Sequence, residues 1–188
     1  MSSHHIIREK QEPALLIMNL EGFDYENLGQ LLEWSPTVIV DEKVFEAVDS
    51  LGIKIDGIIS NDLLFSGQPG TLIIQTEDEP LQDALKFLTG EQYPAVNIIT
   101  DTFSAKDYAL FVDRIDIVAL TPERKIFPVR PGFSKWQVAG EQIEILLEAK
   151  NLKTAGLIPL TEHVFETEKE GFYTLTFEQS FTFIAETL

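Results

Sequence analysis

The 188-residue chain suits one domain or two small ones, and 44% hydrophobic residues, 13 of them Phe, supply ample material for a packed core, which excludes a disordered chain. Fourteen Lys and Arg against 31 Asp and Glu leave a formal charge of −17, a field that repels phosphate backbones and anionic lipid and so argues against nucleic acid and membrane surfaces as partners. With no cysteine there is neither a disulfide framework, a thiolate nucleophile nor a structural zinc site of the usual kind, and no apolar run approaches the ~20 residues of a bilayer span.

The opening MSSHHIIREKQEP contains no apolar segment and no small-residue cleavage site, so a cytoplasmic location is expected. Ala14 to Leu20 is a continuous apolar run suited to a strand buried on both faces of a parallel sheet, and Gly22 breaks it. Leu28, Leu31, Leu32 and Trp34 then recur at mostly helical spacing up to Pro36. Thr37 to Val40 is a β-branched strand followed by Asp41, after which Val44, Phe45, Val48 and Leu51 mark a helix that Gly52 ends. A third strand is expected over Ile55 to Ile59, stopping at Ser60, Asn61 and Asp62, and Ser66 to Gly70 reads as a turn. Leu72 to Gln75 is a fourth strand. Pro80 opens a helix with Leu81, Ala84, Leu85 and Leu88 on its apolar face, Gly90 closes it, Ala95 to Ile99 is a fifth strand, and Ala105 to Val112 a further helix.

From about Ile115 the pattern changes to short strands at Ile115 to Leu120, Lys125 to Val129, Gln142 to Leu147, Tyr173 to Phe177 and Phe181 to Ala185, separated by Pro, Gly and charged turns. The expected fold class is α/β: a mostly parallel sheet with flanking helices over residues 1–118, then an all-β sandwich or roll over residues 119–188, with the boundary inside residues 113–124.

Ligands of such sheets sit beyond the carboxyl ends of the strands, and those ends carry Asp41, Asn61, Asp62, Glu77, Asp78 and Asp101. Several oxygens converging there suit magnesium on a polyphosphate, whose charge must be offset in so acidic a chain; a cationic substrate faces no such penalty. The competing reading is that these acids are solvated surface groups or helix caps. No Gly-rich phosphate cradle lies between a strand and a helix, and the three His (His4, His5, His163) and the serines show no nucleophile–base pattern. Phe133 and Trp136 flank Lys135, and Phe172, Tyr173, Phe177, Phe181 and Phe183 partly alternate; a β core accounts for most of these rings, although a flat cationic heterocycle also stacks on such surfaces.

Taken in order, these segments resemble thiamine pyrophosphokinases. TVIVDEKVFEAV is similar to a family strand ending in Asp and small residues, with Asp41 matching and Glu42 and Lys43 replacing glycines. LGIKIDGIISNDLL is similar to the family's "gi-P-D-xx-I-G-D-x-D-S": Asp56 matches, Ser60 stands for the glycine, Asn61 for the first acidic ligand and Leu63 for the second, while a one-residue shift brings Asp62 near the site. TEDEPLQDALKFL resembles the acidic segment followed by "T-D-x-x-K-A-L", with Ala84 and Leu85 matching and Glu77 for an Asp, but Glu79 and Pro80 for the Thr and Asp. IITDTFSAKDYALF falls at "G-x-x-G-G-R-x-D-H" with Asp107 matching and both glycines and the Arg absent, and TAGLIPL resembles "T-x-G-L-x-x-P-L" one residue short.

The resemblance implies an α/β nucleotide-binding domain and a β-sandwich thiamine-binding domain, a homodimer with its site between subunits, magnesium and ATP as cofactors, and the reaction of ATP and thiamine to AMP and thiamine diphosphate. It implies cofactor-binding roles for Asp41, Asn61, Asp62 and Glu77, magnesium ligation by Asp62, Glu77 and Asp78, and catalytic roles for Asp78 and Asp107. The replaced motif residues imply reduced or altered activity; the alternative is a non-catalytic dimeric ligand-binding or regulatory protein on the same scaffold.

Overall fold

A computed structural model describes residues 12–77 and 79–188 and divides into two compact units. The first comprises the described residues up to Thr102 together with Lys106–Ile117, and the second comprises Phe103–Ala105 and Val118–Leu188.

The first unit is built on β1 (Ala14–Ile17), β2 (Val38–Asp41), β3 (Gly57–Ser60), β4 (Leu72–Gln75) and β5 (Ala95–Ile99), ordered β5-β1-β2-β3-β4 in the sheet. All four pairings are parallel, with Leu16 opposite both Ile39 and Ile98, Val40 opposite Ile58, and Ile58 opposite Ile73. Every residue of β1, β2 and β3 is buried, the physical reason these segments read as unbroken apolar runs. At the β4 edge Leu72 and Gln75 are exposed.

Helix α1 (Tyr25–Leu32) starts where the Asp24 carboxylate accepts the backbone N–H groups of Glu26 (2.8 Å) and Asn27 (3.0 Å). It ends before Trp34, which the helical spacing had placed on the apolar face: Ser35 turns to φ 51° and Trp34 is 68% exposed. After β2 the chain makes a 3₁₀ turn over Glu42–Val44 and enters α2 (Phe45–Ser50), which buries Val48. The third strand begins two residues later than expected: the Ile55 backbone N–H donates to Gln68 Oε1 (2.9 Å) and its carbonyl accepts from Thr71 Oγ1 (2.9 Å), so side chains take the groups a strand ladder would use. Helix α3 (Pro80–Gly90) has Pro at its first turn, buries Ala84, Leu85 and Leu88, and packs on β3 and β4. The last helix, α4 (Ala105–Tyr108), is four residues long rather than the eight expected, with Phe111 and Val112 buried in the turns that follow.

The second unit is antiparallel. One sheet runs β6 (Asp116–Leu120), β7 (Arg124–Val129), β14 (Thr182–Thr187), β9 (Gln142–Ile145), β12 (Val164–Thr167), β11 (Leu157–Pro159); the other runs β8 (Phe133–Gln137), β13 (Gly171–Thr176), β10 (Lys153–Ala155). Val129, Ile143, Ile145, Phe165 and Ile184 from the first sheet form one core with Tyr173 and Leu175 from the second. Gly156 is the point at which the chain passes from one sheet to the other. Its φ is 74°, and a Cβ there would stand 2.8 Å from the Phe172 carbonyl oxygen, so only glycine fits. Inside this core Glu186, 6% exposed, accepts hydrogen bonds from the Tyr173 hydroxyl (2.9 Å) and the Lys135 ammonium. Among the described residues no helix is long and apolar enough to cross a membrane.

Candidate functional site

Parallel pairing sends the carboxyl ends of β2, β3 and β4 to the same edge of the sheet. There Asp41, Glu42, Lys43, Ile59, Asn61, Thr76, Glu77 and Pro80 line a cleft of about 190 Å³. The strand order reverses between β1 and β5, so the cleft lies away from that switch, over the β2–β4 half of the sheet.

Each wall follows from local structure. Asp41, the last residue of β2, is 4% exposed, and its Oδ1 accepts the Lys43 N–H at 2.9 Å, capping the 3₁₀ turn. That cap fixes the turn that places Glu42 and Lys43 on the cleft. Register sets Asp41 opposite Ile59, hence Glu42 level with Ser60, whose fully buried hydroxyl donates to Glu42 Oε2. The same Ser60 Oγ accepts the Asp62 N–H at 2.9 Å. From β4, the Thr76 N–H reaches the Ser60 carbonyl (3.1 Å), and Thr76 Oγ1 donates to Asp83 Oδ2 at 2.8 Å, tying the strand end to the first turn of α3. The Lys86 ammonium, 2.8 Å from Asp83 Oδ1, holds that carboxyl below its ordinary value against the opposing effect of burial, and Thr76 adds to the lowering.

Of the residues singled out from sequence, Asp41, Asn61 and Glu77 come together on this cleft. Asp62 does not line it: its Oδ1 accepts the Leu64 N–H (2.8 Å) and its carbonyl the Phe65 N–H (3.0 Å), so it shapes an exposed turn. Asp78 lies outside the described residues. Asp107 sits half-buried on α4, away from the cleft, beside the buried Tyr108, whose phenol is pushed well above its ordinary value chiefly by burial and further by the Asp107 charge. The residues that sequence reasoning treated only as departures from glycine, Glu42, Lys43 and Ser60, build much of the site; their one signal was position immediately beyond a buried strand.

The oxygen-rich lining has the donor chemistry magnesium prefers, yet among the described residues no group of three or more His, Asp and Glu side chains converges to hold a metal ion. The described lining does not by itself constitute a magnesium site. It carries three carboxylates and one ammonium group, and so favours ligands that bring positive charge.

The two-unit architecture defines a class: the chain has the fold of thiamine pyrophosphokinases. It is similar to thiamine pyrophosphokinase from Bacillus subtilis (13% identity, 94% of this chain and 99% of that one, TM-score 0.66) and to thiamin pyrophosphokinase from Candida albicans (10% identity, 94% and 90%, TM-score 0.68). Yeast thiamin pyrophosphokinase is similar over 97% of this chain and 88% of that one, with 11% identity and a TM-score of 0.65. The sequence matches no family model and no curated protein. The likeness is one of fold.

Proposed function

We propose that the chain is a diphosphotransferase of the thiamine pyrophosphokinase type, converting ATP and thiamine to AMP and thiamine diphosphate. The observation that carries this reading is the similarity of nearly the whole chain, both units included, to solved thiamine pyrophosphokinases. In the reaction the thiamine hydroxyl oxygen forms a bond to the β-phosphorus of ATP, the bond from that phosphorus to the bridging oxygen of the α-phosphate breaks, AMP leaves, and the hydroxyl proton passes to a base. On this reading Asp41, Asn61 and Glu77 serve ATP, Asp78 and Asp107 are the catalytic carboxylates, and Glu77 and Asp78 would hold magnesium, which the reaction requires; Asp62, engaged in its own exposed turn, takes no part. A cleft of about 190 Å³ is smaller than the ~300 Å³ at which ligand pockets begin, so it takes the phosphate chain rather than a whole nucleotide. The working form on this reading is a homodimer.

The test is release of AMP from ATP, with and without thiamine and with magnesium present or omitted, beside sedimentation of the same sample. Thiamine-dependent and magnesium-dependent AMP release by a dimer is expected. Thiamine binding without AMP release would overturn the enzymatic reading in favour of a non-catalytic binding protein.

A further inference from the structure

We propose that Glu42 is a specificity-determining residue of the cleft, held in position by Ser60, and that its charge bars anionic ligands that arrive without a counter-cation. The proposal rests on the phosphate-binding reading of the cleft.

The geometry separates Glu42 from its acidic neighbours. Asp41 is buried with one oxygen engaged on the Lys43 N–H, so its charge is partly met by the turn it caps. Glu77 is exposed at the end of β4, where water screens it. Glu42 is half-buried and crosses from the end of β2 to the end of β3, where the Ser60 hydroxyl donates to it. Ser60 has no exposed surface, so water does not compete for its proton. Ser60 Oγ accepts the Asp62 N–H at 2.9 Å and has two acceptors for its single proton, Glu42 Oε2 and, farther off at 3.2 Å, the Asp62 carbonyl; the charged and nearer carboxylate is the stronger of the two. The hydroxyl thus removes rotamer freedom from a side chain that otherwise swings into solvent. The result is a fixed carboxylate on the wall of a cleft whose lining holds a single ammonium, that of Lys43.

A fixed unit charge about 6 Å from a phosphate, in surroundings half protein and half water, alters binding about tenfold. Lys43 offsets part of this, but it lies next to Glu42 in the chain and ends a flexible stem, so it does not cancel a carboxylate pinned at Ser60. Bare pyrophosphate is therefore disfavoured, whereas the same anion carrying a divalent cation meets the carboxylate as a partner.

The test is isothermal titration of the full chain with inorganic pyrophosphate, once in EDTA and once with magnesium, for the wild type, Glu42→Gln and Ser60→Ala. Gln keeps the volume and the bond from Ser60, so Glu42→Gln isolates the charge, and the unfolding midpoint of each variant reports on folding. In EDTA, Glu42→Gln is expected to bind pyrophosphate at least tenfold more tightly than the wild type and Ser60→Ala by a smaller factor, with the Glu42→Gln gain shrinking when magnesium is present. If Glu42→Gln and the wild type bind within twofold of each other in EDTA while both bind with magnesium, the role of Glu42 is refuted and the proposed function stands. If no variant binds pyrophosphate in either buffer, the role of Glu42 falls, while the proposed function is decided separately by the AMP-release assay.

Discussion

Lys135→Met tests whether the buried charge between the two sheets of the second unit is held as its hydrogen bonds imply. Tyr173 and Lys135 are register partners on β13 and β8, and both donate to Glu186, which belongs to β14 of the other sheet. Methionine keeps most of the lysine stem, while the ammonium, and with it the cation's contact with the Phe127 ring (5.5 Å to the centroid), is lost. Removing one partner of a fully buried pair costs about 3–5 kcal/mol, because the remaining charge is left uncompensated. The Lys135 side chain is 33% exposed, so water partly replaces the ammonium, and a loss of about 2 kcal/mol is expected. Urea unfolding at pH 7, followed by tryptophan fluorescence, measures it as a lower midpoint at unchanged slope. The triple variant Lys135→Met, Tyr173→Phe, Glu186→Leu removes every member of the group at similar volume and should recover to within about 1 kcal/mol of the wild type. A single variant within about 0.5 kcal/mol of the wild type, or a triple less stable than the single, would refute the argument.

Burial, the first cause in both cases, raises the phenols of Tyr108 and Tyr173 above the ordinary value of 10.0, with Asp107 and Glu186 adding to the shift. Each folded phenol keeps its proton where the unfolded one loses it, so their contribution is complete below pH 10 and falls above it, by about 1.4 kcal/mol per pH unit for each. Tyr173→Phe should roughly halve that alkaline slope in urea midpoints taken from pH 9 to 11. Asp83 shifts the other way: its folded carboxyl lies below 3.8, so its contribution is present above that pH and is lost as acid protonates it. Asp83→Asn should flatten the fall in stability from about pH 5 to 3, and Thr76→Val, which deletes a donor to the same carboxylate, should cost about 1 kcal/mol at pH 7. Gly156→Ala forces a Cβ to 2.8 Å from a backbone oxygen at positive φ and should lower stability by about 2 kcal/mol or more, read as a fall in melting temperature of roughly 4 °C or more.

The parallel sheet was legible wherever burial on both faces left an unbroken apolar run. Ala14–Ile17 and Val38–Val40 are of this kind, and so, at helical spacing, are Ala84, Leu85 and Leu88 behind Pro80. Legibility failed where an inward side chain is charged or a strand is too short to show a period. Strand β8, Phe-Ser-Lys-Trp-Gln, was missed because its inward Lys135 hides the alternation that its bond to Glu186 makes tolerable, while Trp136 faces solvent. Strands β10 and β11 were missed because each has three residues and one glycine divides them. The end of α1 was misjudged because Pro36 marks only where a helix must have stopped, and the turn at Ser35 stops it earlier.

The site divides along a different line. That acids and amides stand at strand ends is a local property, and it led to Asp41, Asn61 and Glu77, all of which line the cleft. What each acid does is a property of register and turns. Asp41 and Glu42 are adjacent, yet one is consumed by its own turn and the other is carried to Ser60, 18 residues along the chain, because β2 and β3 pair in parallel with Asp41 opposite Ile59. A shift of one residue in that pairing would place Glu42 opposite Asn61 or Ile59 and leave the buried Ser60 hydroxyl only its longer contact with the Asp62 carbonyl, so the bond and the register support each other. Asp62, which only a one-residue shift of the motif brings near the site, is held in an exposed turn, where its carboxylate accepts the Leu64 N–H and its carbonyl the Phe65 N–H. A carboxylate can therefore change place by one residue at the end of a strand and change from binding group to turn former, which is why substitution at Glu42 tests the cleft more directly than substitution at Asp62.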